Sequence, residues 1–230
     1  MRRCFLIILV VLLAGTAWSQ NVFSDVMSGK LINPEVGVFA WYELKDASTG
    51  RNLFMRQAIV GKKEVKGKTG FYLETEVIPE VGFPIIYRML LTGPASDPAN
   101  VHEIMMKNGS QPVERVPLDA LKEEETEEKP VLRESLGKET MTIAADNLEL
   151  EVEHFTLTQG DNISEVWLNN DARPMGIVKL VSVDGELLLT RFGKGGADAE
   201  SAIDRKLKEQ ERDDVKVKVS HGPTQNFSGK

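Results

Sequence analysis

Cysteine is almost absent from this chain. Its 230 residues include one cysteine, Cys4, which lies in the first apolar run. A disulfide needs two cysteines and a Cys-ligated zinc site needs more than one, so the sequence excludes both within a single chain. We expect stability to come from an apolar core rather than from cross-links.

An excess of positive charge is also lacking. The chain has 28 basic and 35 acidic residues, which gives a formal net charge of −7. Nucleic acids and anionic membranes are bound through basic surfaces, because cations must neutralise the phosphates. The composition therefore argues against nucleic-acid binding.

Long apolar runs are confined to the N-terminus. Met1-Arg2-Arg3 is basic, residues 4–14 are apolar, and Ala17-Trp18-Ser19 places small residues before a predicted cleavage between Ser19 and Gln20. This pattern is typical of a secretory signal peptide, and the run is about half of the roughly 20 residues that span a bilayer. No cysteine follows the run to carry a lipid anchor. We predict an exported protein of the periplasm, or alternatively a secreted one, with no membrane span after cleavage.

Catalytic motifs are scarce as well. The three histidines, His102, His154 and His221, lack the spacing of a metal-binding motif, and neither a Gly-x-Ser-x-Gly elbow nor a phosphate-binding loop is present. A tolerated, half-buried side chain is the simpler interpretation of His102 and His154. We therefore predict no enzyme, no metal and no cofactor.

What the sequence does contain is a series of short β-type runs divided by glycine and proline. Residues 38–44, 52–60, 71–78 and 85–92 are predicted strands, with the charges of 71–78 on one face, and residues 61–70 are predicted to form a hairpin tip. Residues 148–154 alternate strictly between apolar and acidic side chains, which indicates a strand with one face in the core. Such spacing is typical of an antiparallel meander.

The runs fall into two β-rich halves, about 38–116 and 139–192. An acidic linker, about 117–137, separates them, and residues 198–230 are predicted to form a charged helix followed by a disordered tail. Each half alone would have a thin core and exposed edges, so we expect one sheet shared by both. The predicted organisation is a signal peptide at 1–19 and a single β-rich domain at 20–197.

Aromatic residues occur in the predicted strands and are the best candidates for a binding site. Most are expected to be core, but some could line a cavity in a curved sheet. The predicted cavity-lining residues are Phe39, Trp41, Phe71, Tyr87 and Trp167.

Two stretches carry a resemblance to a known group. Residues 37–93 read GVFAWYEL…RQAIVGKKEVKGKTGFYLETEV…IIYRMLLTG, and residues 164–180 read SEVWLNNDARPMGIVKL. They resemble uncharacterised exported bacterial proteins, some of which are similar in fold to the periplasmic lipoprotein carriers. The resemblance implies a mainly β fold with minor helix, in which a curved antiparallel sheet forms an incomplete β-barrel and one or two helices cover its open side. No ligand residue of the carriers matches a residue of this sequence.

These observations favour a non-enzymatic periplasmic binding module for an apolar small molecule or a lipid-like ligand. The alternative is a structural component of the cell envelope that binds another envelope protein. An enzyme of unknown type comes third.

Overall fold

The computed structural model describes residues 30–118, 131–143 and 147–204. The predicted signal peptide with its Ser19–Gln20 cleavage point, most of the acidic linker and the C-terminal tail lie outside these ranges. No helix among the described residues is long and apolar enough to cross a membrane.

Within the described residues, eleven strands form a single antiparallel sheet, and short 3-10 turns lie at residues 98–100 and 197–199. Short loops join most successive strands, which favours pairing between chain neighbours. The strands are β1 (Val38–Asp46), β2 (Asn52–Val65), β3 (Lys68–Pro79), β4 (Ile85–Leu91), β5 (Val101–Asn108), β6 (Glu114–Arg115), β7 (Leu132–Ile143), β8 (Leu148–Gln159), β9 (Asn162–Leu168), β10 (Ile177–Ser182) and β11 (Gly185–Lys194).

The two halves meet where β1 pairs with β11. The sheet order is β6-β5-β4-β3-β2-β1-β11-β10-β9-β8-β7, so the first and last of the described strands lie at its centre. The expectation of one sheet shared by both halves is confirmed. The sheet is open, with β6 and β7 at its edges.

The sheet is also strongly curled. Residues of β7 contact β11, although β8, β9 and β10 lie between them in the sheet order. In a flat sheet, strands four positions apart are separated by roughly 19 Å, which is too far for contact. The C-terminal half therefore bends back towards the centre of the sheet.

Local patterns predict several elements well. In β8, Leu150 and Val152 are buried while the intervening glutamates are exposed, as the alternation predicts. The hairpin tip predicted at 61–70 is wrong, because β2 continues to Val65 and β3 begins at Lys68. Lys66 and Gly67, both with positive φ, make the turn alone. Similarly, β7 begins at Leu132, inside the stretch predicted as linker.

Three apolar clusters form the core. The largest joins β1 and β2 to the strands β7 to β11 and includes Ala172 and Met175 of the loop between β9 and β10. A second joins β3, β4 and β5, with Leu31 packed against it. The third joins Ile86 of β4 to Ala202 and Ile203, where a helical turn begins at residue 202. The predicted charged helix lies outside the described residues after residue 204.

Candidate functional site

A row of polar side chains crosses one face of the N-terminal half. Gln57 of β2 is paired with Thr75 of β3, and Thr75 is paired with Tyr87 of β4. Residues directly opposite each other in neighbouring strands project from the same face. We call Gln57, Thr75 and Tyr87 the polar row. Gln57 and Thr75 are buried and Tyr87 is half-buried, so exposure increases along the row towards β4.

Apolar rows flank the polar row on both sides. Because side chains alternate between faces, positions two residues away in each strand lie on this same face. One flanking row is Tyr42, Met55, Val77 and Ile85, and the other is Ile59, Leu73, Met89 and Ile104. None of the residues in these three rows carries a charge. This surface, called the uncharged face below, is mainly hydrocarbon with a narrow polar strip.

Two residues on the uncharged face have buried polar groups without a partner. Neither the amide nitrogen nor the amide oxygen of Gln57 has a hydrogen-bond partner among the described residues, and the same is true of the Tyr42 hydroxyl. An unpaired buried polar group costs about 1–3 kcal/mol. Burial also raises the pKa of the Tyr42 hydroxyl and the pKa of Tyr87, which is less deeply buried. Both phenols are therefore neutral hydrogen-bond donors at physiological pH.

The opposite face of the same strands carries a buried ion network. Arg56 of β2 contacts two carboxylates of β3, Glu74 at 2.5 Å and Glu76 at 3.3 Å, and all three side chains are buried. The sequence pattern placed these charges together on one face, as predicted, but this face is covered rather than open to water.

The cover is the segment of residues 197–204. Arg56 Nη1 donates to the carbonyl oxygens of Asp198 (2.7 Å) and Glu200 (3.2 Å). Glu74 accepts hydrogen bonds from the Ser201 hydroxyl at 2.7 Å and from the backbone N–H of Ala202 at 2.6 Å. Every one of these bonds joins the sheet to the end of the described chain. We call this arrangement the C-terminal latch.

Further contacts extend the C-terminal latch on both sides. Asp198 accepts a hydrogen bond from Trp41 Nε1 at 3.0 Å and contacts Arg191 at 2.8 Å. Arg88 contacts Asp204 at 3.1 Å. The segment is therefore held by β1, β2, β3, β4 and β11 together.

The five aromatic residues predicted to line a cavity do not lie together. Phe39 and Trp41 are on the face of the C-terminal latch, with the Arg191 guanidinium 5.9 Å from each ring centre. Tyr87 is on the uncharged face, and Phe71 projects from the same side of the sheet but outside the three rows, where it is paired with Lys62. Trp167 lies in the other half of the sheet, stacked on His154 with ring centres 4.1 Å apart. Of the predicted set, Tyr87 and Phe71 are the ones placed on the face of the polar row.

The histidines have different surroundings. His154 lies 3.0 Å from Glu165 and 3.5 Å from Glu139, and Glu139 also accepts a hydrogen bond from Trp167. His102 Nε2 lies 2.8 Å from the Thr92 hydroxyl. Within the described ranges, no group of three or more His, Asp or Glu side chains could hold a metal ion.

Sequence reasoning missed Gln57 and Tyr42. A signal for Gln57 was available, because it stands between Met55 and Ile59 at the spacing of one strand face. An amide in an otherwise apolar alternation is a candidate for a buried polar site. Nothing local marks Tyr42, whose hydroxyl is isolated only by the way β1 packs.

Several solved structures are similar to this chain at low identity. A candidate exported protein with a YmcC-like fold, from Bacteroides fragilis, aligns with 72% of this chain and 100% of its own at 10% identity, with a TM-score of 0.35. MucB aligns with 83% of this chain and 62% of its own at 11% identity and a TM-score of 0.39. A lipoprotein candidate from Parabacteroides distasonis aligns with 71% of this chain and 99% of its own at 9% identity and a TM-score of 0.36.

No protein-family model matches the chain, and no curated protein matches it. All three structural scores are low, so the fold and function of this chain rest on its own strand pairing and side chains.

Proposed function

We propose that this chain is a non-enzymatic binding module of the periplasm that holds an apolar or lipid-like ligand against the uncharged face. The curled sheet serves as one wall of an incomplete barrel, and residues 197–204 cover the opposite face through the C-terminal latch. The observation that carries the proposal lies within the uncharged face, where the Gln57 amide and the Tyr42 hydroxyl lack protein partners among the described residues.

The distribution of exposure supports this proposal. Val77, Ile85, Tyr87 and Met89 are half-buried, so the β3–β4 side of the uncharged face is open in part. Each buried CH₂ of a ligand contributes about 0.8 kcal/mol, so an acyl chain has a strong preference for such a surface. Ligand sites are typically apolar with a few placed polar groups, and this face has that composition.

The test is native mass spectrometry of the mature protein isolated from the periplasm, with organic extraction of what it carries. We expect a reproducible apolar or lipid-like adduct. A clean ligand-free mass that does not change when fatty acids or phospholipids are added would overturn the proposal.

A matched pair of variants locates the site. Val77 and Ile78 are consecutive, half-buried residues of β3 that project from opposite faces. Val77→Lys places a charge on the uncharged face and should abolish the adduct, whereas Ile78→Lys should retain it. Circular dichroism of both variants checks that the sheet is intact.

The alternative, an interaction component of the cell envelope, is favoured by a different feature. At the end of the sheet where β3 ends and β9 begins, large apolar side chains are exposed: Val81 (81%), Phe83 (72%), Leu132 (68%), Val183 (64%) and Ile163 (58%). Exposed apolar patches often mark interaction surfaces. A ligand-free mass in the experiment above would favour this alternative.

A further inference from the structure

We infer that the ligand of the uncharged face carries an electrically neutral group that both donates and accepts hydrogen bonds, such as the amide of an N-acyl compound. This inference rests on the proposed function and specifies its ligand class. It concerns the chemistry of the group that meets Gln57 and Tyr42.

The first step concerns the hydrogen-bonding groups of Gln57 and Tyr42 that lack a partner among the described residues. Gln57 presents an unpaired N–H donor and an unpaired carbonyl acceptor, and Tyr42 adds a hydroxyl. A primary or secondary amide complements Gln57 in both directions. A hydrocarbon satisfies none of these atoms, and a carboxylate can accept but cannot donate.

The second step is the absence of a counter-ion. The residues of the three rows are uncharged, and Arg56, the nearest cation in sequence, projects from the opposite face, where Glu74 and Glu76 neutralise it. Burying a carboxylate without a cation costs far more than burying an amide. The uncharged face therefore discriminates against an ionised headgroup.

The third step is a route to the orphaned atoms. Along the polar row, exposure increases from Gln57 (0%) through Thr75 (2%) to the half-buried Tyr87. A ligand that enters past Tyr87 reaches Thr75 and then Gln57.

The experiment measures displacement of the uncharged dye N-phenylnaphthylamine by three probes with the same chain: lauramide, laurate and dodecane. We expect lauramide to bind about tenfold more tightly than dodecane, because one buried hydrogen bond contributes about that factor to affinity. We expect laurate to bind most weakly of the three at neutral pH. Lowering the pH should strengthen laurate binding, because the protonated acid is neutral.

Gln57→Leu tests the role of the amide. The variant should lose the preference for lauramide over dodecane while it still binds dodecane, and its urea midpoint without ligand should rise, because the orphaned atoms are gone. Gln111→Leu, at an exposed glutamine, is the matched control and should keep the preference.

The outcomes separate the two claims. If none of the three probes displaces the dye, the proposed function fails and the inference fails with it. If the probes bind but laurate or dodecane equals lauramide, or if Gln57→Leu keeps the preference, the inference alone is overturned.

Discussion

Two neighbouring buried polar residues of β2, Arg56 and Gln57, differ sharply in their hydrogen-bond partners. Arg56 is surrounded by partners, with two carboxylates and two backbone carbonyls in contact. Gln57 is equally buried, yet both of its polar atoms lack a partner among the described residues. Buried polar groups in folded proteins are nearly always paired, so an unpaired one is a candidate for function. Arg56 is the residue to which we assign a stabilising role, whereas Gln57 is the one that we propose meets a ligand.

Tyr42 gives a prediction about alkaline pH. Burial raises the pKa of its hydroxyl in the folded protein above the usual value of about 10, so the unfolded chain loses this proton first as pH rises. The folded state then binds more protons than the unfolded state, and the free energy of unfolding falls above about pH 10, by at most about 1.4 kcal/mol per pH unit for this one group.

The variant Tyr42→Phe removes this contribution. Urea unfolding from neutral to alkaline pH should show a shallower decline for the variant than for the parent protein. At neutral pH the variant should be as stable as the parent or slightly more so, because an unpaired hydroxyl is gone. Identical alkaline slopes for the two proteins would show that Tyr42 ionises without cost and is open to water.

At the scale of elements, the C-terminal latch is the contact that fixes residues 197–204. This segment has little regular structure, and its only described cluster with the sheet is the small one formed by Ile86, Ala202 and Ile203. Its attachment depends mainly on bonds to Arg56 and Glu74. A buried ion pair adds little net stability relative to an apolar replacement. Removal of one partner is costly, however, because it leaves the other charge buried without its counter-ion.

We therefore predict that Arg56→Met destabilises the protein by about 3–5 kcal/mol. Urea unfolding gives the magnitude, and hydrogen exchange should show lost protection at the backbone N–H of Ala202, which donates to Glu74. Arg51→Met, at an exposed arginine just before the same strand, should be nearly neutral.

A triple variant distinguishes two causes of the stability loss in Arg56→Met: carboxylates buried without their counter-ion, and lost packing of the Arg56 side chain. Glu74→Gln and Glu76→Gln in the Arg56→Met background remove the two carboxylates that have lost the Arg56 charge, and the amide oxygen introduced at position 74 would still accept a hydrogen bond from the Ala202 N–H. We expect part of the stability to return. No recovery would mean that the aliphatic packing of Arg56, rather than its charge, holds the segment.

The sequence predicts elements better than it predicts their surroundings. The alternation in β8 and the turn residues between strands are local signals, so their strands could be assigned directly. The local pattern predicts only that Glu74 and Glu76 share one face of a strand. Glu74 is covered because Ser201 and Ala202 come from a distant part of the chain. The pairing partner of Arg56 was likewise beyond any local pattern.

At the scale of the whole molecule, the decisive contact is the pairing of β1 with β11. It joins residues near both ends of the β-rich region, such as Tyr42 and Leu189, at the centre of the sheet. The largest core cluster crosses this junction. Composition favoured one shared sheet, but the strands that meet could not be read from periodicity, because every antiparallel strand here has the same alternating pattern.

The junction predicts that both halves unfold together. After removal of the predicted signal peptide, Trp41 reports on the N-terminal half and Trp167 on the C-terminal half. In the single-tryptophan variants Trp41→Phe and Trp167→Phe, urea transitions followed by fluorescence should coincide with those followed by far-ultraviolet circular dichroism, as a two-state transition requires. A shared core crossing β1 and β11 makes this the expected result, because the largest apolar cluster is divided between the two halves. If fluorescence of one tryptophan changes at lower urea than the circular dichroism of the same variant, the halves are separable, and the sheet is two units joined at an edge.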